Sequence, residues 1–177
     1  MTPGQCRAAR ALLGITQPEL AAAARLGLST IVDFEKGRRR VSANAVKAIQ
    51  RALEGAGIAF TKRGAETAFK ESRAVRELAL LRSPDLYGGS AHLGENIHSL
   101  SGPQIRAARA LLRWSAEDLA RAAALGVNTI RRAEFAEDGT SLTAANQLAI
   151  RRALEAAGIL FIDENGEAGR GVRLRKR

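Results

Sequence analysis

LAAAARLGLSTIVDFEK at residues 20–36 returns as LARAAALGVNTIRRAEF at residues 119–135. In the first copy the apolar residues fall at Leu20, Ala24, Leu26, Ile31 and Phe34, with the small Ala21 where a second helix must cross closely. The second copy repeats this as Leu119, Ala123, Leu125, Ile130 and Ala133, with Ala120. One amphipathic helix through the window would keep its apolar residues on a single stripe, but the phase resets between Arg25 and Gly27. The spacing therefore predicts two short helices meeting at an angle across a tight turn.

The face left outward on the second helix carries the functional information. With Gly27 as N-cap, Leu28, Ser29, Val32, Asp33 and Lys36 line it, and in the copy Val127, Asn128, Arg131, Arg132 and Phe135 do so. Asn and Arg can make bidentate hydrogen bonds to adenine and guanine edges, and Val or Leu can touch a thymine methyl. The second copy is thus equipped to read bases in a DNA groove. The first is less so, because Asp33 repels phosphate unless it accepts from a cytosine amino group. Its compensation is the basic run Lys36, Arg38, Arg39 and Arg40. Ordinary solvated helix positions would be the plain alternative.

The 177 residues suit one or two small domains. Hydrophobic residues make up 46% but aromatic ones only 4%, so the core is expected to be aliphatic and the fold mainly α. A net charge of +10 favours a polyanionic partner. Its distribution is uneven: residues 1–62 carry ten Lys/Arg and four Asp/Glu, residues 63–100 five of each, and residues 101–177 thirteen and nine. The positive charge follows the repeats. Cys6 is the single cysteine, so no intrachain disulfide or cysteine zinc site is open to the chain, and its counterpart Ile105 marks it as an apolar filler. No apolar run is long enough to span a membrane, and no leader is visible at the N-terminus. These features predict a cytoplasmic or nucleoid-associated prokaryotic protein.

Residues 5–35 align with 104–134 without a gap, and residues 41–60 with 142–161, so that 28 of 51 positions are identical. A period this long is duplication of a whole folding unit, not a solenoid. Thr2-Pro-Gly-Gln5 and Ser101-Gly-Pro-Gln104 are capping boxes that open the first helix of each unit, which runs to about Leu13 and Arg113. Thr16 to Glu19 and Ser115 to Asp118 start the second helices. The third end near Gly37 and Gly139. Ser42 and Thr143 cap the fourth, with Val46, Ile49 and Leu53, and Leu148, Ile150 and Leu154, as their inward positions; Gly57 and Gly158 stop them. β-prone runs follow at Ile58–Phe60 and Ile159–Ile162; the second is expected to form a hairpin with residues 171–175 through a turn at 163–166, and residues 67–70 are a weaker equivalent. Such an edge strand can pair with the other repeat or with another chain. Residues 72–82 read as a connecting helix and 83–100 as a linker. The predicted domains are therefore 1–64, a connecting segment 65–100, and 101–177.

With these motifs in place, the sequence resembles the Cro/C1-type, or xenobiotic-response-element, helix-turn-helix family of transcriptional regulators. ITQPELA…LGLSTIVDFEKG carries the likeness, WSAEDLA…LGVNTIRRAEF is a more divergent second copy, and the tails resemble the C-terminal extension of small bacterial members. The resemblance implies two tandem four-helix, lambda-repressor-like units, each with a short C-terminal β strand or hairpin. It implies that Gln17 touches a phosphate and that Ser29, Thr30, Val32, Asp33 and Lys36 lie at or near the groove, with Asn128, Thr129, Arg131 and Arg132 in the copy. Three departures stand out. Ala116 replaces the family's Gln. The usual turn glycine is Arg25 or Ala124, which leaves Gly27 and Gly126 to absorb unusual backbone angles. FEKG becomes AEFAEDG, where Glu134, Glu137 and Asp138 are expected to weaken phosphate contacts.

Most members dimerise to set two recognition helices about one DNA turn apart, near 34 Å. A covalent pair can do this within one chain, and because its reading faces differ the expected site has unlike halves. The expected partner is double-stranded DNA, with a homodimer through the C-terminal strand or the central helix as a further option. The alternative is an antitoxin-like or anti-activator module that grips a regulator or toxin with one recognition helix, through Leu28 and Val32. No paired carboxylates in a cleft, no nucleophile with its base and no phosphate loop point to an enzyme, and no motif calls for a cofactor. His92 and His98 lack the spacing of a metal pair.

Overall fold

The computed structural model describes residues 1–60, 68–71, 100–136, 142–162 and 170–175. Four helices form the first half: α1 (Pro3–Leu13), α2 (Gln17–Ala24), α3 (Leu28–Lys36) and α4 (Ala43–Gly55). Four of the same lengths follow: α5 (Gly102–Leu112), α6 (Ala116–Ala123), α7 (Val127–Phe135) and α8 (Ala144–Ala156). Local chemistry starts each one. Thr2, Thr16, Ser101 and Ser115 each close a reciprocal capping box with the residue three positions on, so two orphan N–H groups are satisfied at every start. Ser42 and Thr143 cap α4 and α8 from the side chain.

Inward faces keep helical spacing. Leu12, Leu20, Ile31, Ile49 and Leu53 are almost wholly buried in the first half, and Ile105, Leu119, Ile130, Ile150 and Leu154 in the second. Leu148 departs from expectation: it is 46% exposed, because the position equivalent to Val46 is Gln147. Cys6 is buried as expected, yet it also points its thiol at a carboxylate.

The halves meet through α1 and α5, packed antiparallel. Arg7 Nε donates to the Ala110 carbonyl at 3.3 Å, and Arg106 Nε donates to the Ala11 carbonyl at 3.2 Å. Exchanging the halves turns one bond into the other, so an approximate two-fold axis runs between the helices, the relation of an isologous dimer inside one chain. A four-stranded sheet continues the contact, in the order β1 (Ile58–Phe60), β2 (Ala68–Glu71), β4 (Gly171–Leu174) and β3 (Ile159–Ile162). All pairs are antiparallel, and Phe69 lies opposite Val172 at the central pairing. The expected hairpin at 159–175 is present. Its strand β4 is enclosed by β2 and β3, so pairing goes to the other half of the same chain, and β1 and β3 form the outer edges.

Among the described residues no helix is long and apolar enough to cross a membrane. The predicted helix at 72–82, residues 83–99 of the linker with both histidines, the 163–166 turn, Gly139, Glu137 and Asp138 lie outside the described residues.

Candidate nucleic-acid interface

α3 buries Ile31, Phe34 and Glu35, and α7 buries Ile130, Ala133 and Glu134. This inward triplet at i, i+3 and i+4 leaves the opposite side of each helix outward. On α3, Leu28, Ser29 and Lys36 are exposed, while Thr30, Val32 and Asp33 are half-buried. Arg38, Arg39 and Arg40 are exposed just beyond it. On α7, Asn128, Arg131 and Arg132 are exposed, Phe135 is 84% exposed, and Val127 and Thr129 are half-buried, Val127 leaning on the core. Arg131 pairs loosely with Glu117 at 3.4 Å, both side chains more than half exposed, so the guanidinium is not committed. The α7 helix ends at Phe135 with an extended Ala136, earlier than the predicted Gly139.

The turns differ from expectation in a physically telling way. Arg25 and Ala124 themselves take the left-handed conformation, φ 54° and 52°, while Gly27 and Gly126 sit at ordinary values of −67° and −70°. The geometry closes both helices identically: the Leu26 and Leu125 N–H groups donate to the Ala21 and Ala120 carbonyls at 2.9 Å. The turn is tight, not widened, and the cost of a side chain in that region is borne at Arg25 and Ala124.

A buried ion pair holds each outward helix. Arg10 meets Glu35 through Nε at 2.9 Å and Nη2 at 3.1 Å, and Arg109 meets Glu134 at 2.6 and 3.1 Å. Each of these arginines also donates to the chain after its own helix, at Ile15 O and Trp114 O. Glu134 is therefore a structural group and not the surface acid expected from the sequence. Glu35 collects two further donors, Gln17 Nε2 at 2.7 Å and the Cys6 thiol at 3.5 Å. Burial first, and then the Glu35 carboxylate, push the Cys6 thiol far above its ordinary range, so it stays protonated and donating. Gln17 lies half-buried at the start of α2, where one amide N–H is engaged by Glu35 and the other remains for an outside acceptor.

The ends of α3 and α7 are fastened to the axis. Arg7 Nη1 donates to the Glu35 carbonyl at 2.6 Å while its Nε reaches Ala110 in the other half. Arg106 does the same for Glu134 O and Ala11 O. One guanidinium on each side thus links a recognition helix to the opposite half, which sets the separation of the two outward faces. Gly102 adds a link in the second half: its N–H donates to Ala136 O at 2.8 Å, and a Cβ there would run into the carbonyl oxygens of Glu134 and Ala136.

Residues 7–55 match the helix-turn-helix family model. The match spans α1 from Arg7 to the end of α4 and stops short of α5, so the mainly helical chain has a helix-turn-helix at its N-terminus. No curated protein and no solved structure matches the chain. In a helix-turn-helix the second helix of the pair enters the major groove, which is the position of α3.

Sequence reasoning passed over Arg7, Arg10 and Glu35 with their counterparts Arg106, Arg109 and Glu134. A signal for them existed: all three recur unchanged between copies whose outward residues do not.

Proposed function

We propose that the chain is a sequence-specific DNA-binding transcription regulator in which two helix-turn-helix units, residues 1–64 and 101–177, read adjacent major-groove half-sites on one duplex. The observation that carries this reading is the exchange of arginine bonds across α1 and α5, which relates α3 to α7 by an approximate two-fold axis. A two-fold pair suits half-sites in inverted orientation about one DNA turn apart, near 34 Å. The halves of the site are unlike, because Asn128, Arg131 and Arg132 offer hydrogen-bond donors where Ser29, Val32 and Asp33 offer a short hydroxyl, a methyl face and an acceptor.

In this reading Asn128, Arg131 and Arg132 take base edges in the second half-site, with Thr129 and Val127 flanking them. Leu28, Ser29, Thr30, Val32 and Asp33 face the first. Lys36, Arg38, Arg39, Arg40 and the outward N–H of Gln17 hold phosphates. Selection from a random DNA pool, followed by footprinting and mass measurement, tests it. One chain per duplex protecting two successive major-groove segments is the expected result. Protection of a single segment, or recovery of no common sequence, would refute it.

The exposure of Leu28 and Phe135 favours a second reading, a module that grips a regulatory protein through one recognition helix. A gel shift with genomic fragments over non-specific competitor separates the two, since a protein-binding module retards none of them.

A further inference from the structure

We infer that Arg113, contributed by the second half, grips a DNA backbone phosphate at the first half's recognition helix, completing a cationic cradle with Lys36 and Arg38. The inference rests on the DNA reading above and adds to it a binding group from across the two-fold axis.

α5 ends on Arg113 in the left-handed conformation, φ 58°, where the first half has Gly14 at φ 67°. Glycine occupies that region freely and arginine does not, so the backbone gains nothing from the arginine. Neither does the core, because Arg113 is exposed. What the side chain reaches is a cleft of about 560 Å³ at the seam between the halves, shared with Lys36 and Arg38 from the first half and Trp114 and Ala110 from the second. Arg7 and Glu35 also line it, and with Lys36 they continue into a second cleft of about 490 Å³ that runs to Gln17 at the start of α2. A trough therefore extends from the α2 N-terminus past the end of α3 to Arg113.

The charge in that trough is unopposed. None of the ion pairs among the described residues involves Lys36, Arg38 or Arg113, and the one carboxylate lining it, Glu35, is engaged by Arg10, Gln17 and Cys6. The crowding of cations is felt at Arg7, whose guanidinium is held below its ordinary value by burial and next by Arg113. The opposite seam lacks this character. There the positions of Lys36, Arg113 and Trp114 are taken by Phe135, Gly14 and Ile15, and the arginines that line it are bonded to carbonyls and Glu134. A generally solvated basic surface would mark both seams. Confinement to one seam, beside the end of one recognition helix, fits a phosphodiester held at the first half-site and not at the second.

The test uses the full chain and a duplex selected by the wild-type protein, with affinity measured over a series of salt concentrations. Arg113→Gly restores the residue that the backbone prefers, so the fold is kept and only the side chain is lost. The expected result is a logarithmic salt slope lower by about one unit, roughly an eightfold loss of affinity at 0.1 M salt. Arg113→Lys should keep the slope. Phosphate ethylation interference should lose one sensitive position at the first half-site in Arg113→Gly, with the second half-site unchanged. An unchanged slope in Arg113→Gly, or a lost phosphate at the second half-site, overturns the inference while leaving the DNA reading in place. If the wild-type chain selects no sequence and binds every duplex alike, the DNA reading itself fails and the inference falls with it.

Discussion

The two halves share a skeleton and differ in what they turn outward. Each has helices of 11, 8, 9 and 13 residues, a left-handed residue in the same turn, and a buried glutamate clamped by an arginine three turns of chain away in α1 or α5. The outward positions of α3 and α7 agree at Thr30 and Thr129 but not at Ser29 and Asn128, Val32 and Arg131, or Asp33 and Arg132. After duplication, the buried contacts stay under a packing constraint that the solvated positions escape. The network around the glutamate has also diverged: Glu35 has the donors Gln17 and Cys6, which Ala116 and Ile105 cannot supply to Glu134.

If the skeletons are equivalent, matched core truncations should cost the same. Leu20→Ala and Leu119→Ala, both at fully buried sites, are each expected to lose about 3 kcal/mol in urea denaturation. A difference of more than about 1 kcal/mol would break the equivalence. The outward faces should behave oppositely. Arg131→Ala with Arg132→Ala is expected to lower the salt slope of DNA binding by about two units and to relax sequence preference at the second half-site. Lys36→Ala should lower it by about one unit and leave sequence preference alone.

The clamps come next. Glu35→Gln is expected to cost about 2 kcal/mol, since Arg10 is left partly buried without its charge partner. Glu134→Gln should cost less, because Glu134 is the more exposed of the two and has fewer donors. Alkylation of Cys6 offers a local readout. The thiol is protonated and shielded in the native fold, and Glu35→Gln should speed its modification where Glu134→Gln should not. The smallest effect belongs to the turns: Arg25→Gly and Ala124→Gly are each expected to raise stability by about 0.5–1 kcal/mol, read as a higher Tm. A fall at either position would mean that the side chain there makes a contact worth more than the backbone relief.

Much of the molecule was legible in its sequence for local reasons. Capping boxes, helix starts and most inward positions follow from interactions that span three or four residues, and the repeat supplied each of them twice. The misreadings share a cause as well. Leu148 was placed inward by apolarity, although the repeat aligns Gln147 with Val46. Gly27 was preferred over Arg25 for the left-handed position because glycine pays less there, but position in the turn outranked propensity. Glu134 looked like a surface acid because its partner Arg109 is 25 residues away.

The order of helices, their stops and the two unlike outward faces were determined by the sequence alone, because each depends on side chains a few residues apart on one helix. Only the tertiary structure decided how the halves face each other. The pairing of β2 with β4, the carbonyl that each of Arg7 and Arg106 finds across the axis, and the meeting of Arg113 with Lys36 join residues distant in the chain. A guanidinium carries no mark of which carbonyl it will reach; packing α1 against α5 supplies the distance and direction that select one.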